Sequence, residues 1–314
     1  MKQSYWSLII LAILFIGIGW YLSRQAHLLA VLQQVSTGFI LFLIGSRVLI
    51  LMTNGLFLRA FVGKFNITLT PTEWVGIPII TSMFNYITPF SGGMVFRATY
   101  LKYRYGLPYA QFVMLLSANY LLNFWVVGLT GLTVLLLFIP SAAFYWQLIF
   151  FFVAIIIGLP ILGFLPIARL PWENRWARSF NMVLEGWREV RTDTVLLLKL
   201  VLYSLMNIVL SGLSVWIAYE ALGLPISFPV ATMIGLLAIF SLLINITPGN
   251  LGVQEAFISL SSALFGAGVD EGLLISLLIR AATLACVFTL GPIFSYVLTR
   301  KLDLYRRASY ENNA

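Results

Sequence analysis

Arg97, Glu255 and Arg280 each fall inside a long apolar stretch of the chain. If those stretches lie in a bilayer, each charge costs at least about 2.5 to 3.5 kcal/mol at mid-depth, so such groups are expected to face a cavity or one another. A Glu255 ion pair with Arg280 or Arg97 would neutralise two charges. The remaining guanidinium would then be available to grip a phosphate through two parallel hydrogen bonds. Direct contact with substrate is the expectation for Arg97 and Arg280, and a counter-ion or proton-carrying role for Glu255. A purely structural salt bridge is the alternative. Arg47 is a secondary candidate that can equally satisfy nearby carbonyls, and Lys199, close to a helix end, is expected to snorkel.

Two breaker clusters lie near these charges, Thr88-Pro89-Phe90-Ser91-Gly92-Gly93 and Thr247-Pro248-Gly249-Asn250-Leu251-Gly252. Proline lacks the amide donor and glycine tolerates unusual backbone angles, so each cluster interrupts a helix. A half-helix then starts near Gly92 and another near Gly252, with first amides that lack intrahelical partners and a positive dipole end that attracts anions. Thr88, Ser91, Thr247 and Asn250 add small polar groups. They can line a site for a negatively charged headgroup or merely cap the half-helices.

The elements that must position these residues are membrane helices. Of the 314 residues 61% are hydrophobic and only 10% charged, against about a quarter in soluble domains. That composition disfavours a cytosolic enzyme or a secreted fold. The single cysteine, Cys286, and the single histidine, His27, leave no basis for an intramolecular disulfide, a thiolate cluster, or a histidine-rich metal site or Ser/His/Asp triad within the membrane. No cofactor is expected. Six apolar runs have the roughly 20 residues needed to cross a bilayer: 5–22, 37–58, 109–139, 145–168, 195–222 and 272–299. The first, preceded by Lys2, has no convincing small-residue cleavage site and reads as a retained helix. Segments 74–106 and 230–266 are instead broken by the two clusters. Many of the tryptophans and tyrosines, including Trp6, Trp20, Trp74, Trp146 and Tyr305, fall at span ends as an interfacial belt does.

Charge sets the expected orientation. With both broken segments entering and returning, six spans put both termini in the cytoplasm. Lys2, Arg59, Lys64, Lys102, Arg104, the five arginines of linker 169–194 and Arg300, Lys301, Arg306 and Arg307 of tail 300–314 then lie inside, as the insertion bias requires. Only Arg24 falls outside. Two full crossings by both segments would preserve the same sidedness. The basic residues therefore point to anionic lipid and not to nucleic acid. The linker, in which arginines alternate with Trp172, Trp176 and Trp187, reads as an amphipathic interfacial segment.

The chain also repeats. Asn85-Tyr86-Ile87-Thr88-Pro89 and Asn245-Ile246-Thr247-Pro248 stand in the same context, and an offset of about 160 residues aligns the preceding and following spans. Residues 1–140 form the first repeat, and 141–168 with 195–299 the second. Each has two spans, a hairpin and a span, and three crossings per copy invert the second. The expected fold is all-α and polytopic, with six transmembrane helices plus two re-entrant broken-helix hairpins in an inverted repeat. Such hairpins meet near the midplane in transporters.

Pro89-x-x-Gly92-Gly93-x-x-x-Arg97, followed by Leu101 and Tyr105-Gly106-Leu107, resembles the first signature of the lysylphosphatidylglycerol synthase transmembrane region, also called the flippase-like family. Pro248-Gly249-x-Leu251-Gly252-Val253-x-Glu255, with Arg280 downstream, is similar to the second. The resemblance covers essentially the whole chain and implies a polytopic plasma-membrane protein that handles an aminoacylated phospholipid or a polyprenyl-linked intermediate. It further implies that Arg97, Glu255 and Arg280 line the lipid pathway, with Gly92, Gly93, Gly249 and Gly252 giving access to the backbone. The name-giving members carry a soluble aminoacyl transferase domain after the membrane region, and here only about 15 residues follow the last span, so synthase activity does not transfer.

The expected function is movement of a lipid with an anionic, phosphate-bearing headgroup between leaflets. There is no Gly-x-x-x-x-Gly-Lys-Ser/Thr loop, so movement would be downhill or coupled to protons or ions. A homo-oligomer is compatible with this reading. The enzymatic alternative, an intramembrane transferase or phosphatase, would draw on acidic pairs, yet the only adjacent one, Asp270-Glu271, has no histidine or obvious metal partner. A membrane scaffold is the third reading.

Overall fold

The computed structural model describes residues 35–88, 92–139, 145–164, 181, 188, 190, 192–244 and 247–311, with side chains omitted at 160–164 and 302–311. The first expected span, Ser91, and most of linker 169–194 lie outside the described residues. The described chain is all-α, without strands. Its helices are α1 (Thr37–Gly63), α2 (Pro71–Ile87), α3 (Gly92–Tyr105), α4 (Tyr109–Phe138), α5 (Trp146–Phe164), α6 (Thr194–Ala221), α7 (Phe228–Ile239), α8 (Val253–Leu264) and α9 (Val269–Glu311). Two short 3₁₀ segments, Phe240–Ile244 and Pro248–Asn250, lie between α7 and α8.

Among the described residues, four helices are long and apolar enough to cross a membrane: α1, α4, α6 and the Val269–Lys301 part of α9. Their side chains face outward to an extent that water would not tolerate. Only 28% of the apolar window of α1, and the same share of α6, is buried, and Phe42, Leu137, Phe150 and Tyr296 are exposed. Such broad apolar surface fits a hydrocarbon surround. The last helix outruns its expected limit of 299, reaching Glu311 with Pro292 inside it.

α2, α3, α7 and α8 are shorter. At 1.5 Å per residue, the 17 residues of α2 reach about 26 Å and the 14 of α3 about 21 Å, each less than the roughly 30 Å of hydrocarbon. α3 folds back along α2. Gly93 meets Asn85, the rings of Phe96 and Phe84 stack with centroids 5.5 Å apart, and Arg97 meets Thr81. Contact order therefore runs in opposite directions along the two helices. α8 likewise packs on α7.

Helix starts recur along the chain. Thr37 and Thr194, Pro71 and Phe228, Gly92 and Val253, and Tyr109 and Val269 are spaced by about 160 residues.

The chain divides into two compact units, and neither coincides with a sequence half. One combines residues up to 52, 71–97 and 209 onward, and the other combines 53–70 with 98–208. In the first, α9 packs on both α2 and α8. Gly291 lies under Met83 and Gly272 under Ser259 and Ser262, small residues that let helices approach closely without a hydrophobic driving force. Ser46 and Ser214 exchange a hydroxyl hydrogen bond of 2.8 Å between α1 and α6. In the second unit α4 packs on α5, with Gly131 against Phe152 and Gly128 against Ile155. Trp125 Nε1 donates to the Ile156 carbonyl at 3.3 Å, and the Asn207 amide donates to Asn54 Oδ1 at 2.9 Å.

Candidate functional site

The second break forms around a run of left-handed backbone. Gly249 (φ 59°), Asn250 (φ 56°) and Gly252 (φ 83°) turn the chain out of one helix and into the next. Asparagine is among the few non-glycine residues that accept this conformation, and here its amide also donates to the Ser241 carbonyl (3.0 Å) and hydroxyl (2.9 Å). Thr247 Oγ1 donates to the Leu251 carbonyl at 2.7 Å. The expected threonine and asparagine polar groups are present, and they hold the turn itself.

Val253 then opens α8, and Glu255 lies in its first turn, where it accepts a hydrogen bond from the Gly252 amide through Oε2 at 2.7 Å. A carboxylate at this place satisfies an orphan amide and complements the helix dipole. The anion that this helix start attracts is therefore the chain's own. Glu255 and Arg97 do not occupy matching places, because Arg97 lies more than a turn inside α3 whereas Glu255 is among the first residues of α8.

Arg280, on α9, completes the arrangement. Of the two ion pairs open to Glu255, the structure makes this one, with Arg280 Nε donating to Glu255 Oε1. Arg280 Nη1 donates to the Gly249 carbonyl at 2.9 Å and Nη2 to that of Asn250 at 3.4 Å. One guanidinium thus ties α9 to both the carboxylate and the unwound carbonyls of the break. Both side chains are buried, Glu255 3% and Arg280 6% exposed, which in low dielectric demands this degree of pairing.

The first break reaches the same place through Tyr86. Its ring lies 5.6 Å from the Arg280 guanidinium carbon and packs on Gly249, where any Cβ would overlap it. This combines a cation–π contact with a close backbone approach. Sequence reasoning passed over Tyr86 as a site residue, and it is the one residue of Asn85-Tyr86-Ile87-Thr88-Pro89 without a counterpart in Asn245-Ile246-Thr247-Pro248. Asn85 was likewise passed over, and its Oδ1 accepts from the Gly93 amide at 2.9 Å, capping α3. Thr88 Oγ1 bonds back to the Phe84 carbonyl, and a Cβ on Gly92 would strike Thr88. Gly93 faces the Thr81 carbonyl so closely that no side chain fits.

Arg97 and Arg280 touch different levels of α2. Arg97 Nε donates to Thr81 Oγ1 at 3.3 Å, five residues before Tyr86 and so about 8 Å along the helix. Arg47, on α1 and half-buried, lies within electrostatic reach of Tyr86, Cys286 and Arg280. Among the described residues it has no carboxylate partner, so a positive charge borders the pair without being neutralised by it.

Intact, the pair neutralises both buried charges and occupies the Gly252 amide and the Gly249 and Asn250 carbonyls of the break. Among the described residues no group of three His, Cys, Asp or Glu side chains is placed to hold a metal ion.

The sequence profile of the family described as lysylphosphatidylglycerol synthase TM region matches residues 7–291. No curated protein and no solved structure matches the chain. The match takes in every element described above from α1 to α8 and most of the apolar part of α9, including both breaks and the Glu255–Arg280 pair. This multi-pass integral membrane protein accordingly belongs to the lysylphosphatidylglycerol synthase TM region family, a family of membrane lipid metabolism or transport.

Proposed function

We propose that the chain moves a lipid with a phosphate-bearing headgroup, whether a phospholipid, an aminoacyl-phospholipid or a polyprenyl-phosphate-linked one, between membrane leaflets. The observation that carries this reading is the buried Glu255–Arg280 pair at the place where Tyr86 of one broken segment packs on Gly249 of the other. Charges buried in a membrane segment are costly and characteristically serve passage of polar groups. Broken helices characteristically place the unwound backbone where a substrate is held.

In this reading the two broken segments re-enter from opposite faces as an inverted repeat. A headgroup phosphate is drawn first to Arg47 and then exchanges with Glu255 for the Arg280 fork. Protonation of Glu255 favours the exchange, because a neutral carboxyl holds neither Arg280 nor the Gly252 amide as firmly. The acyl chains remain in lipid, and rocking of the repeats presents the headgroup to alternate leaflets. The basic residues orient the protein in the plasma membrane with both termini cytoplasmic.

Reconstitution tests this directly. Liposomes containing the protein should move fluorescent phosphatidylglycerol to the dithionite-accessible leaflet faster than protein-free liposomes. Replacing Arg47→Gln, with Glu255→Gln and Arg280→Gln so that no buried charge is stranded, should slow that movement to the protein-free rate, and an unchanged rate would defeat the assigned roles.

A further inference from the structure

A separate cavity of about 480 Å³ lies in the unit formed by residues 53–70 and 98–208. It is lined by Leu56, Arg59 and Lys64 near the end of α1 and by Asp193, Lys199 and Tyr203 at the start of α6, among others. None of these residues belongs to the Glu255–Arg280 cluster. Lys64 Nζ and Asp193 Oδ2 pair at 3.7 Å, which leaves Arg59 and Lys199 as positive charges with no carboxylate among the described residues. Asp193 is otherwise engaged in starting α6, its Oδ1 accepting from the Leu196 amide at 3.0 Å. The cavity therefore carries more positive charge than its own acid can neutralise.

Its surroundings are those of a membrane boundary. Val195, Leu198 and Leu202 are 62%, 64% and 55% exposed and, with Lys199, share one face of α6 by their spacing. Lys199 thus stands in an apolar stripe, about 8 Å beyond the start of the helix. The Tyr203 ring packs edge-on to Phe57, with centroids 5.7 Å apart, making a rigid wall with a polar tip. The volume suits a small headgroup, and basic pockets between membrane helices on the cytoplasmic side recognise anionic lipids.

We infer that this cavity binds the headgroup of an anionic phospholipid from the leaflet on the basic side of the protein. Arg59 and Lys199 hold its phosphate, and its acyl chains run along Val195, Leu198 and Leu202. A zwitterionic headgroup would bring its ammonium among three cations and is discriminated against by that repulsion. The site is a binding site in its own right, so its occupancy is read without any transport.

Native mass spectrometry of the full chain in neutral detergent tests this, with phosphatidylglycerol and phosphatidylcholine offered in equal amounts. The unsubstituted chain should retain phosphatidylglycerol preferentially. Arg59→Gln with Lys199→Gln should weaken that retention by about tenfold or more, whereas removing equal charge elsewhere with Lys2→Gln and Lys102→Gln should not. Arg59→Lys with Lys199→Arg, which keeps both charges, should preserve the preference and separates lost recognition from misfolding. Equal retention of the two lipids, or phosphatidylglycerol binding unaltered in the Arg59→Gln, Lys199→Gln variant, would overturn the assignment. Displacement of the lipid by millimolar inorganic phosphate would overturn it in favour of a soluble anion.

Discussion

At the first break the amide of Gly93 is met by the neutral carboxamide of Asn85, and at the second the amide of Gly252 is met by the carboxylate of Glu255, itself held by Arg280. Both are caps, and both leave a short helix starting where the chain folds back. They differ in what a proton or an arriving anion can do to them. A carboxamide offers one fixed, uncharged bond. A carboxylate shared between an amide and a guanidinium ties α8 to α9 by charge, so its loss disturbs two helices at once. The lesson is that the same capping device carries more weight where its acceptor is charged and its partner lies on another helix.

Breaking the charged cap should have the largest effect. Arg280→Ala strands Glu255 as a buried anion and removes donors from two carbonyls, for an expected loss of about 3 to 5 kcal/mol. Unfolding measured in lipid bicelles checks it, and Glu255→Gln combined with Arg280→Gln should recover most of that loss. Next comes Gly93→Ala at the neutral break, where the new methyl meets the Thr81 carbonyl. Forcing α3 away from α2 should cost about 1 to 3 kcal/mol, read as a lowered melting temperature. Asn85→Ala removes one cap and should cost about 1 kcal/mol, with faster amide exchange at the start of α3 as the local signature. The smallest effect is expected of Thr81→Val, which deletes the long Arg97 bond of 3.3 Å and should change stability by less than about 1 kcal/mol. If Asn85→Ala proved as damaging as Arg280→Ala, the contrast between the breaks would lose its basis.

Much of this architecture is legible in the sequence because lipid imposes a simple code. Runs of about 20 apolar residues read out α1, α4 and α6 nearly to their ends, and the proline and glycine clusters mark both breaks. The Glu255–Arg280 pairing follows in part from the cost of leaving either alone. Position within a turn is harder to read. Glu255 at the very start of α8 depends on where the first helical amide falls, and one residue of shift would turn a cap into a mid-helix charge. Tyr86 and Asn85 escaped as site residues because aromatics and amides are common near membrane helix ends, and only folding α3 back onto α2 gives Asn85 its amide. Nor does the sequence mark the cavity around Arg59 and Lys199, whose residues come from helices more than a hundred positions apart.

The central claim is that the ionised pair at the second break, and not the neutral cap at the first, does the work of moving a lipid headgroup. The initial rate of fluorescent phosphatidylglycerol movement in proteoliposomes tests it when Glu255→Gln with Arg280→Gln is set beside Asn85→Ala. The account predicts that the first variant, folded and correctly inserted, falls to the protein-free rate, while Asn85→Ala retains most of its activity. Movement at the unsubstituted rate by the chargeless pair would contradict it.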